Sequence, residues 1–158
     1  MTDADTDAAL AKAMRKAYRL LALRARSEKE LRDKLKEKGF AESVLNKVII
    51  KLADFKYLDD ASFAGQWARN LAVNKLHGNR RIRISLREKG IPDVMIEKAI
   101  DEARDELSEQ AAIEKLIKKR IDRRKIVEMD SREKHRLYQW LTGKGFASEM
   151  IYKKIKDL

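Results

Sequence analysis

Apolar residues along this chain recur with helical spacing, and one arrangement of them occurs three times. The first copy runs Leu31, Leu35, then Lys38-Gly39-Phe40, then Val44, Leu45 and Ile49. The second runs Ile82, Leu86, then Lys89-Gly90-Ile91, then Met95, Ile96 and Ile100. The third runs Leu137, Leu141, then Lys144-Gly145-Phe146, then Met150, Ile151 and Ile155. Apolar residues four apart share one helical face, so each copy predicts a helix, a glycine corner and a second helix. The glycine supplies the positive φ that stops the first helix, and the lysine before it sits where the helix dipole favours a cation. Pro92 fits the first turn of the next helix, where no amide donor is needed.

A longer amphipathic stretch precedes each pair. Leu10, Met14, Ala17 and Leu21 form its stripe in the first copy, Phe63, Trp67 and Leu71 in the second, and Ile113, Leu116, Ile117 and Ile121 in the third. The second helices should turn Val44, Val48, Leu52 and Phe55 inward in the first copy, and Ile96, Ala99, Ala103 and Leu107 in the second. Ser27 with Glu30 reads as a capping box, and Asp59 or Asp60 and Ser108 read as N-caps. The expected fold is all-α: three tandem three-helix repeats at 9–57, 58–107 and 108–158, in an elongated, curved, right-handed or solenoid-like array. The third repeat is spaced four residues further on and contains a polar connector, Arg123–Asp130.

Composition narrows the classes. Apolar residues are 44% and charged residues 40% of the 158, with six glycines, one proline and no cysteine. Scarce turn formers disfavour a sandwich or barrel, and the missing thiols exclude a disulfide framework, thiol catalysis and the usual zinc knuckles. No apolar run approaches a membrane span, and the acidic start is unlike a signal peptide, so a soluble intracellular protein is expected. The net charge of +11 is uneven: Arg69–Lys89 holds seven basic residues against Glu88, while Pro92–Glu109 holds seven acidic residues against two basic ones. Such a surplus usually meets a polyanion or an acidic protein face.

No catalytic constellation or cofactor motif is present. His77 and His135 lack ligand-spaced partners, and His77 reads as a residue of a helix's last turn, where a cation is welcome. Gly78 and Gly90 lack the neighbouring glycines of a phosphate loop. Trp67 reads as core, Trp140 stays open between core and base stacking, and Tyr57 with Phe63 reads as a staple between the first two modules. The interaction candidates are cationic. Arg80, Arg83 and Arg87 form one helical stripe with Arg81 beside it and Lys75 before it; Lys118, Lys119, Arg120, Arg123, Arg124 and Lys125 form a second cluster. A weaker third comprises Arg15, Arg19, Arg24, Arg26 and Arg32. The acidic Pro92–Glu109 stretch is expected to offer a separate face.

Tyr57-Leu58-Asp59-Asp60, followed by Phe63-Ala64 and Trp67, resembles the most characteristic stretch of the bacterial RecX regulators. The run from Arg80-Arg81-Ile82 to Leu86-Arg87-Glu88-Lys89-Gly90-Ile91 does so too, and Ser27 to Phe40 is similar to that family's opening repeat. Leu141, Gly145 and Phe146 continue the pattern. The resemblance implies a monomeric, non-enzymatic cytoplasmic modulator of recombination and SOS repair. Such a protein binds the RecA recombinase and its filament on single-stranded DNA. It limits filament extension, ATP hydrolysis, strand exchange and coprotease activity. A stand-alone, sequence-nonspecific DNA- or RNA-binding protein is the alternative that the basic stripes allow.

Overall fold

The three lysine–glycine corners bend the chain where the spacing predicts, with φ of +87° at Gly39, +75° at Gly90 and +93° at Gly145. A computed structural model describes residues 2–122 and 129–158. Among these, nine α-helices and one π-helical turn form, with no strand. The helices are α1 (Asp3–Leu23), α2 (Glu28–Glu37), α3 (Glu42–Asp54), α4 (Asp60–Arg69), α5 (Asn79–Glu88), α6 (Asp93–Glu106), α7 (Glu109–Asp122), α8 (Ser131–Gly143) and α9 (Ser148–Lys156). The π-helical turn, Asn70–Asn74, continues α4. Contacts divide the described chain into two compact units, one running to Phe63 and including Lys89–Ile91, the other comprising Ala64–Glu88 and Pro92 onward.

In the first unit, α1 packs on α3 and α2. Ala13 and Ala17 are fully buried and bring the α1 backbone close to the core, while Leu10, Met14 and Leu21 flank them half-buried. The stripe read from Leu10, Met14, Ala17 and Leu21 is therefore centred on its alanines. Leu31, Leu35, Val44, Leu45, Val48 and Leu52 complete the core. Phe55 departs from expectation: it is 63% exposed. Helix α3 ends at Asp54 and Lys56 takes φ +59°, so the chain turns before the ring can point inward, and Leu58 closes the core instead.

The start of α2 is tied down by a buried polar knot. Ser27 Oγ accepts from the Glu30 amide (3.2 Å) and donates to the Lys89 carbonyl (2.7 Å). The Glu30 carboxylate receives the Ser27 amide (3.2 Å), both terminal nitrogens of Arg24 (3.0 and 3.1 Å) and Lys89 Nζ (2.5 Å). Gly90 lies so close that a Cβ there would fall 2.7 Å from Lys29 Cβ. Asp59 Oδ1 accepts the Ser62 amide (3.0 Å) and so caps α4, whereas Asp60 Oδ1 accepts the Glu28 amide (2.8 Å) and serves α2.

In the second unit, α6 packs on α5 and the π-helical turn, α9 packs on α8 and α7, and α7 also reaches the π-helical turn. The turn ends with Lys75 N–H donating to Asn70 O (3.1 Å) and His77 N–H to Leu71 O (2.8 Å). Between them Leu76 adopts φ +56°, a costly conformation for a branched side chain. Its side chain is 4% exposed and joins Ala112, Ile113, Leu137 and Phe146, and this burial offsets the strain. His77 thus lies beyond the helix, not in its last turn. Pro92 is likewise one position earlier than expected, the N-cap of α6, its carbonyl accepting the Ile96 amide (3.0 Å). Asp130 and Glu133 form a capping box at α8.

The third repeat joins the second through backbone. Gly78 N–H donates to Lys144 O (2.8 Å) and Arg80 N–H to Gly145 O (3.2 Å). A Cβ on Gly78 would lie 2.3 Å from the Gly145 carbonyl, and one on Gly145 would lie 2.5 Å from Arg81 Cβ.

Two outcomes follow from this packing. Gly39 has open space around it, so Gly39→Ala should cost only the left-handed backbone penalty, about 1–2 kcal/mol. Gly145→Ala must also displace neighbouring atoms, adding about 1–3 kcal/mol of overpacking, whereas Gly78→Ala meets that overpacking without a left-handed penalty; urea unfolding followed by circular dichroism should rank Gly145→Ala below Gly39→Ala. Burial alone would raise the Glu30 carboxyl, but hydrogen bonds from Arg24, Lys89 and the Ser27 amide hold it at about 2, below its ordinary 4.5. Its contribution is present above pH 4.5 and lost as the pH falls towards 2. Acid unfolding of Glu30→Gln should lack that component and start from a less stable protein at neutral pH.

Candidate interaction surface

Helix α5 buries Ile82 and Leu86 completely, and this fixes its arginines outward. They do not form one uniform stripe. Arg83 makes a two-pronged pair with Glu97 of α6 (Nε to Oε1 2.6 Å, Nη2 to Oε2 3.0 Å), and Arg87 Nε donates to Asp93 Oδ1 (2.9 Å). Residues four apart on α5 therefore meet residues four apart on α6, a charge ladder across the helix pair. The hydrogen bonds to Arg83 and Arg87 hold the Glu97 and Asp93 carboxyls below their ordinary range. Arg69 forks onto Glu106 of the same helix (2.6 and 2.7 Å). The acidic stretch spends Asp93, Glu97 and Glu106 on local arginines, because helix pairing sets the two charge runs side by side, and keeps Asp101, Glu102 and Asp105 exposed. Arg83 and Arg87 are accordingly weaker contact candidates than their spacing suggests.

Arg80, Arg81 and Lys75 differ. All three are exposed, and none forms an ion pair among the described residues. They line a groove of about 480 Å³ with Leu71, His77, Ile84, Ser85 and Glu88 on one side and Thr142, Gly143 and Gly145 on the other. The Gly78–Gly145 approach makes this groove: it sets the α8 corner against the start of α5, and Arg81 Nη1 reaches the Gly143 carbonyl (3.5 Å). Two first-turn amides of α5 are already occupied, that of Asn79 by Glu109 Oε1 (2.8 Å) and that of Arg80 by Gly145 O.

His77 at its edge is not the cation expected. Burial, then Lys144, Arg81 and Lys75, push its imidazole down to about 4, so it is neutral at neutral pH. Its Nδ1 is buried without a hydrogen-bond partner among the described residues. The 77–79 turn is held by Arg104, whose guanidinium donates to His77 O (2.7 Å), Asn79 Oδ1 (2.8 Å) and Leu107 O (3.2 Å). In the sequence Arg104 is only one of two cations in an acidic run. No spacing signal marks it, since its acceptors are mostly backbone carbonyls.

Elsewhere the candidates separate by environment. Arg120 stacks over Trp140 with its guanidinium carbon 4.7 Å from the ring centre, and Lys144 Nζ lies 5.6 Å from the same ring, so Trp140 is a cation platform. Lys118 and Lys119 are exposed; Arg123, Arg124 and Lys125 lie outside the described residues. In the weaker cluster, Arg24 pairs with Glu30, Arg32 with Glu42 (2.7 Å), and Arg26 Nε donates to Leu20 O (3.2 Å). Trp67 is half-buried and donates its indole N–H to Ser85 Oγ (2.9 Å). Tyr57 is 56% exposed and sets its ring edgewise to Tyr18 of α1 at 5.3 Å. No helix among the described residues is long and apolar enough to cross a membrane.

Comparison with known proteins matches this arrangement repeat by repeat. Residues 13–52 match the first three-helix domain of RecX, residues 59–100 the second and residues 108–155 the third. A protein named Regulatory protein RecX from Prosthecochloris aestuarii is 32% identical over the whole of this chain and 98% of its own length. One of the same name from Mycolicibacterium smegmatis is 31% identical over 85% of this chain and 72% of its own. The crystal structure of RecX from Lactobacillus salivarius superposes with a TM-score of 0.80 at 25% identity, covering 96% of this chain and 97% of that one. With all three of its helix triplets accounted for in order, the chain belongs to the RecX family.

Proposed function

We propose that this protein is a negative regulator of the RecA recombinase. It binds RecA and its filament on single-stranded DNA and limits filament extension, ATP hydrolysis, strand exchange and coprotease activity. The observation that carries the reading is the match to RecX across all three repeats, together with a relative named Regulatory protein RecX that this chain covers to 98% of its length. The protein acts in the cytoplasm as a monomer and without catalysis of its own. Its modules, 9–57, 58–107 and 108–158, give separate contacts whose linkage multiplies weak affinities. Lys75, Arg80 and Arg81 are the contact residues favoured, since they form no ion pair among the described residues, with Lys118 and Lys119 as a second site. The exposed Lys118 and Lys119 near the Arg120–Trp140 stack also suit a second reading, direct backbone binding to nucleic acid.

Titrated into RecA-dependent ATP hydrolysis on single-stranded DNA, the protein should inhibit at amounts well below those that coat the strand. Inhibition only at coating amounts, abolished steeply by salt and indifferent to RecA, would favour the second reading. Lys75→Glu with Arg80→Glu should raise the amount needed for half inhibition by about tenfold or more, the scale of losing close charge contacts. Arg83→Gln with Arg87→Gln should change it little. Lys118→Glu with Lys119→Glu should reduce affinity for an oligothymidylate at low salt; unchanged affinity marks those lysines as solvated charge.

A further inference from the structure

The groove beside α5 carries more information than its charge. Among the described residues its cations Lys75, Arg80 and Arg81 form no ion pair, while Glu97 and Asp93 of α6 are committed to Arg83 and Arg87. Its wall includes Ile84, 55% exposed among those cations, and Leu71 lies behind it. Glu88 stands at its edge. Among the described residues its lining offers a single ring, the half-buried His77 imidazole, and no phenyl, phenol or indole. A single-stranded nucleic acid draws affinity from stacking on exposed rings and from an unbroken positive track. Here the one ring is half-buried, the track is interrupted by Glu88, and an apolar patch lies where a phosphate chain gains nothing. A carboxylate side chain with an apolar neighbour gains from both kinds of surface: its charge from the arginine forks, its neighbour from Ile84. A volume of about 480 Å³ is within the range of pockets that enclose a small ligand or a few side chains.

We propose that this groove is a receptor for an acidic peptide segment of the protein's partner, with Lys75, Arg80 and Arg81 holding the carboxylates and Ile84 an adjoining apolar side chain. The assignment rests on the regulatory reading and names the chemistry that this part of the surface recognises. It uses side chains whose charge is already uncompensated, so binding breaks no ion pair within the protein. It also places the new negative charge near Lys144, Arg81 and Lys75, the three cations whose field reaches His77.

The test uses the full chain and three probes: a short fluorescein-labelled peptide of Asp and Glu set between leucines, its Asn and Gln counterpart, and a labelled oligothymidylate. Fluorescence anisotropy should show the acidic peptide binding and its amide counterpart not. Lys75→Glu should weaken the acidic peptide about tenfold or more. Arg81→Glu should do the same, and circular dichroism must show it folded, because Arg81 packs on Gly145. Ile84→Ser should weaken the peptide while leaving its charge dependence intact. The His77 ring-proton resonance should move as the acidic peptide is added. Equal binding of the two peptides, or peptide affinity untouched in a folded Lys75→Glu and Arg81→Glu, overturns the proposal. So does oligothymidylate binding that these substitutions abolish while the peptide fails to bind. Wild-type inhibition of RecA without peptide binding removes the groove assignment and leaves the regulatory reading; peptide binding without RecA inhibition does the reverse.

Discussion

Two glycines meeting backbone to backbone set the second unit's geometry. Gly78 and Gly145 approach so closely that no side chain fits at either, and the amides of Gly78 and Arg80 find their acceptors only because of that approach. Buried or crowded backbone donors need partners, and here each repeat supplies what its neighbour lacks. The contact also places Arg81 and the α8 corner on two sides of one cleft. Cleft and fold thus have a single origin: the close passage that locks the helices creates the concavity.

Charge is organised by the same helix pairing. A chain with a large positive surplus has many cations, but α5 and α6 neutralise several of them in pairs along their seam. Exposed pairs of this kind contribute little to stability, on the order of 0–1 kcal/mol each. Their larger effect is selective, since they withdraw Arg83 and Arg87 from competition and leave Lys75 and Arg80 with uncompensated charge. Arg104 shows a different use of a cation. Half-buried and bound mostly to carbonyls, it fixes the turn that carries His77 and opens α5.

The helices and corners were legible in the sequence because they depend on local rules: apolar spacing for α2, α5 and α8, and positive φ for Gly39, Gly90 and Gly145. Ser27 with Glu30 was legible for the same reason, as capping spans four residues. Features set by distant partners were not. Nothing local says that Gly78 faces Gly145, that Asp60 serves α2, or that Asp93 and Glu97 lie opposite Arg87 and Arg83. The early end of α3, which exposes Phe55, and the π-helical turn, which drops Leu76 into a core formed with α7 and α8, depend on tertiary burial overriding periodicity. The charged residues were therefore found by type, and their division into paired and available groups came only with the fold.

The three corners share a conformation but not an environment, and that sets how far the duplicated units can drift apart in evolution. At Gly39 the backbone angle is the sole demand, so asparagine, which tolerates a left-handed conformation, is an acceptable replacement. Gly90 and Gly145 must in addition leave room for Lys29 and Arg81, and there even the smallest chiral residue is excluded. The first corner is thus free to diverge, whereas the second and third are held by their neighbours.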